Sequence, residues 1–389
     1  MNIHKRISSV TVSMAVGVFI AYGPLQSTDV TAQARSIPFA GQLVDPVRLR
    51  GVEDVHIVDG YMYLPCREGQ RLTVCSMEDP VNPNIVSSFT HPDLAHAAGF
   101  AINGDTVYLA SHGNQRLLVI DASNRTDLRL LGSVKLGASD KGSLYKVAYR
   151  DGHCYVAHQS DKRLYVVDVR EPSHPTVVGS VAVTAEDDGP FSVLLRGDYA
   201  LVGTIFGSRN RLAVVDIANP AEPRLVTEVF DPSIGQVSGE IVGDLYYAAN
   251  WDTNAFLVFD LSNPTAPKLM AKLVDKRLGK PNRCVVMGAR AYLPMVQGDG
   301  VAVVDISDPM NPAFLTSFQD LIMDKTYGAA IYKGLLYIGA REGNSVVVME
   351  LDALETGLPS PSIGFSQGRC HLFGDRVPTD VRDSNVPSP

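Results

Sequence analysis

Common enzyme motifs are missing from this chain of 389 residues. It has no glycine-rich phosphate loop, no GxSxG nucleophile elbow, no dinucleotide fingerprint and no HExxH zinc motif, so the sequence gives no support to those chemistries. Long runs of Lys or Arg are also missing, and the formal net charge is −8. Because phosphate contacts need clustered cations, we expect no nucleic acid among the partners.

Cysteine is scarce, with five residues and neither a CxxC pair nor a cysteine–histidine zinc spacing. A chain of this length can bury a large core without the disulfides that small secreted domains need. Cys66 and Cys75 flank one predicted hairpin, but symmetric pairing places Cys66 opposite Arg71, so a bridge between them is out of register. We expect mostly buried free thiols at Cys66, Cys75, Cys154, Cys284 and Cys370.

Long hydrophobic runs are missing as well. The apolar stretch Val10–Ala21 is too short to cross a bilayer as a helix. Lys5 and Arg6 precede it and the small residues of Ala32–Ala34 follow it, which is the pattern of a secretory signal over residues 1–34. An uncleaved anchor is the alternative, because the spacer Gly23–Val30 is long. We expect an exported protein, periplasmic or secreted, whose mature chain has no transmembrane span.

What the sequence does contain is one phrase that recurs seven times: an apolar strand, an acidic position and a proline-framed turn. The third copy reads LYVVDVREPSHP at Leu164–Pro175 and the fourth reads LAVVDIANPAEP at Leu212–Pro223. A repeat of this size, built from short strands, indicates a propeller or a solenoid. The aligned positions lie 44 to 48 residues apart and are Cys75, Asp121, Asp168, Asp216, Asp260, Asp305 and Glu350.

A hairpin precedes each phrase. Its turn requires a positive φ, which glycine adopts without strain. The hairpin, the strand that ends in the acid and one outer strand give four antiparallel strands per repeat, as in a propeller blade. We interpret the acidic position as structural, accepting hydrogen bonds from the N–H groups of the turn. The turn glycines are Gly60, Gly104, Gly152, Gly197, Gly243, Gly288 and Gly334.

The pattern predicts an all-β fold, a seven-bladed β-propeller with four-stranded antiparallel blades over residues 36–352. The seventh unit supplies only three strands, so we expect the N-terminal strand at about 38–46 to join the last blade and close the ring. Residues 353–389 are rich in Pro and Ser and lack strand periodicity. We expect them to form a largely disordered C-terminal tail.

These seven phrases resemble those of the LVIVD-repeat proteins, a family of bacterial and archaeal seven-bladed β-propellers. The resemblance covers Pro38 to about Asp352. It implies the fold rather than an activity, because the family is known by its repeat and not by a catalytic motif. The first and last repeats depart from the pattern, with Cys75 and Glu350 in the aspartate position, as terminal repeats often do.

One face of the predicted propeller collects the loops between the second and third strands and those between blades. We expect a ligand there, at the mouth of the central funnel. Histidines from the first three units fall on this face, and neutral imidazole suits copper, zinc, iron or nickel. The alternative is a set of ordinary loop histidines. A transition-metal site, the one cofactor that the sequence raises, would use His56, His96, His112 and His158.

Other polar groups reach the same face. Lys146 and a nearby acid, Asp54 or Glu53, could form an acid–base pair, with His112 and His158 as further catalytic candidates. The alternative is a salt bridge that stabilises the channel. Trp251, the only tryptophan, lies in a loop where it could stack on a ligand such as a sugar or pack as a lid over the next blade. The other ligand-binding candidates are Glu53, Tyr145, Arg283 and Arg341.

Two functions follow from these observations. The first is an exported binding module whose loop-rich face takes a protein, a peptide or a glycan, which the regular repeats and the missing catalytic motifs favour. The second is a lyase, hydrolase or isomerase that acts on a small molecule in the central funnel, with or without a metal, which the concentration of histidines favours. The sequence leaves open whether the chain is an enzyme.

Overall fold

The computed structural model describes residues 38–138, 142–184 and 187–351. The predicted signal and the predicted tail lie outside these residues. Two units are distinguished in the chain, Met1–Ser36 and Ile37–Pro389, and all the described residues belong to the second.

In the described ranges, 28 strands form seven four-stranded sheets, or blades. After β1 (Phe39–Val44), blade 1 has β2 (His56–Val58), β3 (Tyr61–Cys66), β4 (Arg71–Ser76) and β5 (Asn84–Phe89). Blade 2 has β6 (Ala97–Asn103), β7 (Thr106–Ser111), β8 (Arg116–Asp121) and β9 (Arg129–Lys135). Blade 3 has β10 (Leu144–Arg150), β11 (His153–His158), β12 (Arg163–Asp168) and β13 (Thr176–Ala182).

The remaining blades follow the same order. Blade 4 has β14 (Gly189–Arg196), β15 (Tyr199–Ile205), β16 (Leu212–Asp216) and β17 (Arg224–Val229). Blade 5 has β18 (Val237–Val242), β19 (Leu245–Asn250), β20 (Ala255–Asp260) and β21 (Lys268–Val274). Blade 6 has β22 (Val285–Met287), β23 (Arg290–Met295), β24 (Gly300–Asp305) and β25 (Ala313–Gln319). Blade 7 has β26 (Thr326–Tyr332), β27 (Leu335–Ala340) and β28 (Ser345–Glu350).

All strand pairs are antiparallel, and the predicted seven-bladed β-propeller is confirmed. Strand β1 pairs with β28, with Leu43 opposite Val346 and Val44 opposite Ser345, so it is the outer strand of blade 7. Short 3-10 helices at Lys276–Leu278 and Leu321–Met323 lie between blades. Among the described residues, no helix has both the length and the apolar character needed to cross a bilayer.

The core consists of seven apolar clusters, each between two neighbouring blades. Between blades 7 and 1, for example, Tyr337 and Val346 pack with Met62 and Leu64. The middle strands of a blade are covered on both sides, which explains why they read as unbroken apolar runs, whereas the outer strands are partly exposed. Removal of this apolar surface from water is the main force that holds the ring together.

The acidic positions are structural, as the sequence predicts. Asp121 accepts a hydrogen bond from the N–H of Ser123 at 2.8 Å, and Asp260 accepts one from Ser262 at 2.7 Å. The same bond, to the N–H two residues further on, recurs at Asp168, Asp216 and Asp305. Each aspartate thereby fixes the turn that starts the crossing to the outer strand.

The cysteine predictions are confirmed for the described residues. Cys66 lies opposite Arg71 in the β3–β4 ladder, as the hairpin symmetry requires. Four cysteines, Cys66, Cys75, Cys154 and Cys284, are free and buried. Burial raises the pKa of the Cys66 thiol to about 12, so this thiol is protonated at neutral pH. Cys370 lies outside the described residues.

Candidate functional site

An ion cluster centred on Asp54 joins the inner parts of three blades. Asp54 lies two residues before β2 in blade 1 and is only 2% exposed. Its carboxylate accepts hydrogen bonds from Lys146 Nζ of blade 3 at 2.7 Å and from Arg283 Nη1, just before blade 6, at 2.7 Å. His56 Nε2 lies 3.2 Å from the same carboxylate. We call these four residues the Asp54 cluster.

Two glycines leave room for the cluster. A Cβ atom on Gly328 of β26 would lie 2.5 Å from Asp54 Cα, and one on Gly99 of β6 would lie 2.7 Å from Lys146 Cδ. Any larger residue at either position would displace a member of the cluster or the strand that carries it. The two glycines therefore allow side chains from different blades to meet near the axis of the propeller.

The protonation states follow from this arrangement. Burial by itself would raise the pKa of Asp54, but the charges of Arg283 and Lys146 outweigh it and hold that pKa well below its usual value. Burial lowers the pKa of His56, and the attraction of Asp54 offsets only part of this change. At neutral pH Asp54 is thus ionised and fully paired. This is the geometry of the channel salt bridge, the alternative to an acid–base pair.

His112 and Tyr145 lie together on the loop face. His112 Nδ1 is 3.0 Å from the carbonyl oxygen of Leu144. Because a carbonyl can only accept, Nδ1 carries the proton and Nε2 is left as an acceptor. Burial lowers the pKa of His112 to about 4, so the ring is neutral at pH 7. The Tyr145 ring packs 4.8 Å from it, and the ring of His96 lies 6.4 Å away on another side.

The four histidines proposed as metal ligands do not fit one metal ion. His56 belongs to the Asp54 cluster and packs 4.3 Å from the ring of Phe100. His158 is completely buried inside blade 3, where its Nδ1 contacts Ser143 Oγ at 3.3 Å. Only His96 and His112 are neighbours. In residues 38–138, 142–184 and 187–351, no group of three or more His, Cys, Asp or Glu side chains could hold a metal.

Two further candidates, Trp251 and Arg341, form an aromatic shelf with Tyr327, which was not among the predicted site residues; we define the shelf as these three residues. The Trp251 and Tyr327 rings are 5.7 Å apart with an interplanar angle of 54°. The Arg341 guanidinium lies over the Tyr327 ring, 4.7 Å from its centre. Arg341 also pairs with Glu53 at 3.2 Å and with Glu68. The shelf therefore runs from blade 5 past blade 7 to the loops of blade 1.

An amide pair continues this surface between blades 5 and 6. Gln236 Nε2 donates to Asn282 Oδ1 at 3.0 Å, and the backbone N–H of Gln236 donates to Asp252 Oδ2 at 2.9 Å. The N–H of Trp251 in turn donates to the carbonyl oxygen of Gln236 at 3.2 Å. These bonds fix the loop that carries Trp251, so its ring has a defined place beside Tyr327.

Gln236 was not among the predicted site residues, although the sequence contained a signal for it. It stands seven positions before the hairpin glycine of its repeat, Gly243. The corresponding positions in other repeats hold Glu53, Tyr145 and Tyr327, all at the loop face. Counting back from the hairpin glycine therefore places Gln236 at the loop face.

Comparison with known proteins agrees with the architecture. The LVIVD repeat matches residues 95–135, 141–183, 191–231, 240–275 and 279–320, which together make up more than half of the chain. These five matches correspond to blades 2 to 6. The unmatched blades 1 and 7 contain the two repeats that depart from the aspartate pattern. No curated protein matches the chain in sequence.

Solved propellers share the fold at low sequence identity. The hydrazine synthase of Kuenenia stuttgartiensis has a TM-score of 0.63 at 14% identity, covering 84% of this chain and 99% of that chain. Virginiamycin B lyase from Staphylococcus aureus has a TM-score of 0.61 at 10% identity, covering 79% and 98%. BamB from Moraxella catarrhalis has a TM-score of 0.51 at 13% identity, covering 76% and 81%.

At such identities these likenesses concern the fold alone. The repeat match is of a different kind, because it rests on the sequence of five successive blades. This chain belongs to the LVIVD-repeat family.

Proposed function

We propose that this chain is an exported binding module that takes its ligand at the loop face, beside the mouth of the central channel. The observation that carries the proposal is the aromatic shelf. Trp251 and Tyr327 are both partly exposed, and hydrogen bonds and ion pairs hold the groups around them in place. Rigid aromatic rings with fixed polar neighbours bind ligands at a low entropic cost.

The Asp54 cluster favours binding over acid–base chemistry. A general base needs a pKa near the working pH and a free lone pair that faces the substrate. Asp54 has neither, because both its oxygens accept from cations and its pKa is held well below its usual value. His158, the other catalytic candidate inside a blade, is fully buried. These groups stabilise the propeller that presents the shelf.

An enzyme is the second candidate, and His112 is the observation that favours it. Its Nε2 is an acceptor on a half-buried ring beside Tyr145, an arrangement that could take a proton from a bound small molecule if the bound ligand raised the pKa of the ring from about 4. A lyase is among the solved proteins that share this fold. Under this candidate, His112→Ala would abolish turnover while the fold is kept, and Trp251→Ala would act mainly on substrate binding.

A binding panel tests the main proposal. Mature protein starting at Arg35 is presented to immobilised glycans and peptides, together with the variants Trp251→Ala and Arg341→Ala. We expect both variants to lose the binding that the wild type shows. Arg170→Ala is the matched control, because Arg170 makes a similar carboxylate pair with Asp168 on the opposite face. Equal losses in Arg170→Ala and Arg341→Ala would contradict a site at the loop face.

Export is a separate part of the proposal, and it rests on the signal pattern of residues 1–34. Sequencing the N-terminus of the protein recovered from the periplasm or the medium tests it. We expect the chain to start at Arg35, after the small residues of Ala32–Ala34. A protein that keeps residue 1 and stays in the cytoplasm would contradict export and leave the binding proposal unaffected.

A further inference from the structure

We infer that the aromatic shelf and the adjoining amide pair bind a neutral saccharide. The inference rests on the proposed function and narrows its ligand to one chemical class. Some polar groups around Trp251 and Tyr327 already have hydrogen-bond or ion-pair partners within the protein, and others are left for a ligand.

The charged groups of the shelf are occupied with each other. Arg341 directs one terminal nitrogen to Glu53 at 3.2 Å and the other to Glu68. The guanidinium of Arg67, which lies close enough to lower the pKa of Glu68, offsets the second carboxylate, so Arg341, Arg67, Glu53 and Glu68 together carry no net charge. An anionic group placed here would have to break one of these pairs and would then face the released carboxylate.

The groups left for a ligand are mostly uncharged. In the described part of the chain, the Trp251 indole N–H and Gln236 Oε1 have no partner. Arg341 lies over the ring of Tyr327, and the hydroxyl of Tyr327 has a proton to donate to a ligand. Asp252 uses one oxygen on the N–H of Gln236 and has another to offer. Sugar hydroxyls both donate and accept, so they can satisfy all four groups.

The two rings supply the apolar part of the recognition. A pyranose has faces of C–H groups, which stack on aromatic rings, and an edge of hydroxyls. Trp251 and Tyr327, inclined at 54° with centres 5.7 Å apart, offer two such stacking faces next to the hydrogen-bonding groups. A basic peptide is the competing ligand, because the Asp252 carboxylate could attract a Lys or Arg side chain.

The single tryptophan makes a direct test possible, because all tryptophan fluorescence of the protein comes from Trp251. Mature wild-type protein is titrated with neutral oligosaccharides of glucose, galactose, mannose, xylose and N-acetylglucosamine. Parallel titrations use an oligogalacturonate, a Lys-rich peptide and a Glu-rich peptide. We expect a saturable change of fluorescence with at least one neutral oligosaccharide and none with the oligogalacturonate or the peptides.

Two variants locate the binding. We expect Tyr327→Ala and Gln236→Ala each to weaken saccharide binding by about tenfold. Tyr327→Ala removes a stacking ring, and Gln236→Ala removes a hydrogen-bond acceptor. Tyr332→Ala is the matched control, because Tyr332 lies at the far end of the same strand, β26. We expect this variant to bind the saccharide with the affinity of the wild type. Circular dichroism checks that all three variants fold.

The other outcomes overturn the inference in distinguishable ways. If only a peptide gave a saturable change, and Tyr327→Ala weakened it, the shelf would bind a peptide rather than a saccharide. The proposed binding function would then stand. Saturation by a saccharide that is insensitive to both shelf variants would move the site elsewhere. No saturation by any of these probes would count against both the saccharide and the proposed function.

Discussion

The two faces of the propeller differ in how uniform the repeat is: equivalent positions hold mostly the same residue type on one face and different residue types on the other. We call the face that carries the proline-framed turns the turn face. There Asp121 and Asp260 have the same role in different blades, because each accepts a hydrogen bond from the N–H two residues further on. On the loop face, the residue seven positions before the hairpin glycine is not constant and is one of five residue types across the seven blades. In chain order it is Glu53, Ala97, Tyr145, Pro190, Gln236, Pro281 and Tyr327.

This difference shows where fold and function are encoded. A residue type that recurs in the same place satisfies a need that every blade has, the closure of its turn. Residues that break the repeat are not needed by the blade, and here they gather around the channel mouth, where Glu53 and Tyr327 both contact Arg341. The departures from the repeat, rather than the repeat itself, therefore mark the candidate site.

The largest effect on stability is expected from Asp54→Asn. The change leaves Lys146 and Arg283 without a carboxylate in a largely buried site, which costs about 3–5 kcal/mol of unfolding free energy. Denaturant unfolding of the mature protein measures it. Asp252→Asn, which alters a carboxylate on the exposed loop, is the control and should change the stability little. A loss below about 1 kcal/mol for Asp54→Asn would mean that the cluster does not hold the blades together.

A smaller effect, a loss of about 2 kcal/mol of unfolding free energy, is expected when acid protonates His112. Burial lowers its pKa from 6.5 to about 4, so the unfolded chain binds this proton first. The folded state therefore loses stability as the pH falls from 6.5 towards 4, and His112→Asn should flatten that part of the curve. His56 and His158, whose pKa values are also lowered, act in the same direction and leave a residual slope.

Unfolding curves at a series of pH values give this comparison. His174→Asn, on the exposed turn face, is the control and should keep the slope of the wild type. An identical slope in the wild type and His112→Asn would show that the ring of His112 is solvated rather than packed beside Tyr145.

The smallest effect is expected on the turn face. Asp121→Ala removes one hydrogen bond, to the N–H of Ser123, and should cost about 1 kcal/mol. Asp127→Ala, which breaks only an exposed pair with Arg129, is the matched control and should cost less than about 0.5 kcal/mol. If Asp121→Ala destabilised the protein as much as Asp54→Asn, the two faces would not differ in the way described.

The fold could be predicted because it depends on short-range features. A hairpin glycine, an apolar strand and a turn aspartate recur within each repeat, and the register of Cys66 with Arg71 follows from the hairpin alone. Even a channel salt bridge between Lys146 and a nearby acid, Asp54 or Glu53, could be predicted as an alternative to an acid–base pair. Arg283 was placed on the correct face, but its bond to Asp54 connects residues 229 positions apart and depends on how the ring closes.

The histidines show where such prediction fails. His112 and His158 stand at similar places in successive repeats, yet one lies on the loop face and the other is buried. In the ladders, His158 pairs with Leu144 as Ser111 pairs with Ala97, so His158 corresponds to the buried Ser111. A shift of one residue at the end of a strand thus decides between core and surface, and the sequence pattern does not resolve it.

The fluorescence of Trp251 during titration with neutral oligosaccharides tests the central claim most directly, because the signal arises inside the candidate site. We expect a saturable change of fluorescence, with an affinity that is about tenfold weaker in Tyr327→Ala and unchanged in Tyr332→Ala. A titration without saturation, or an affinity that Tyr327→Ala leaves unaltered, would contradict the claim that residues departing from the repeat form a binding site at the channel mouth.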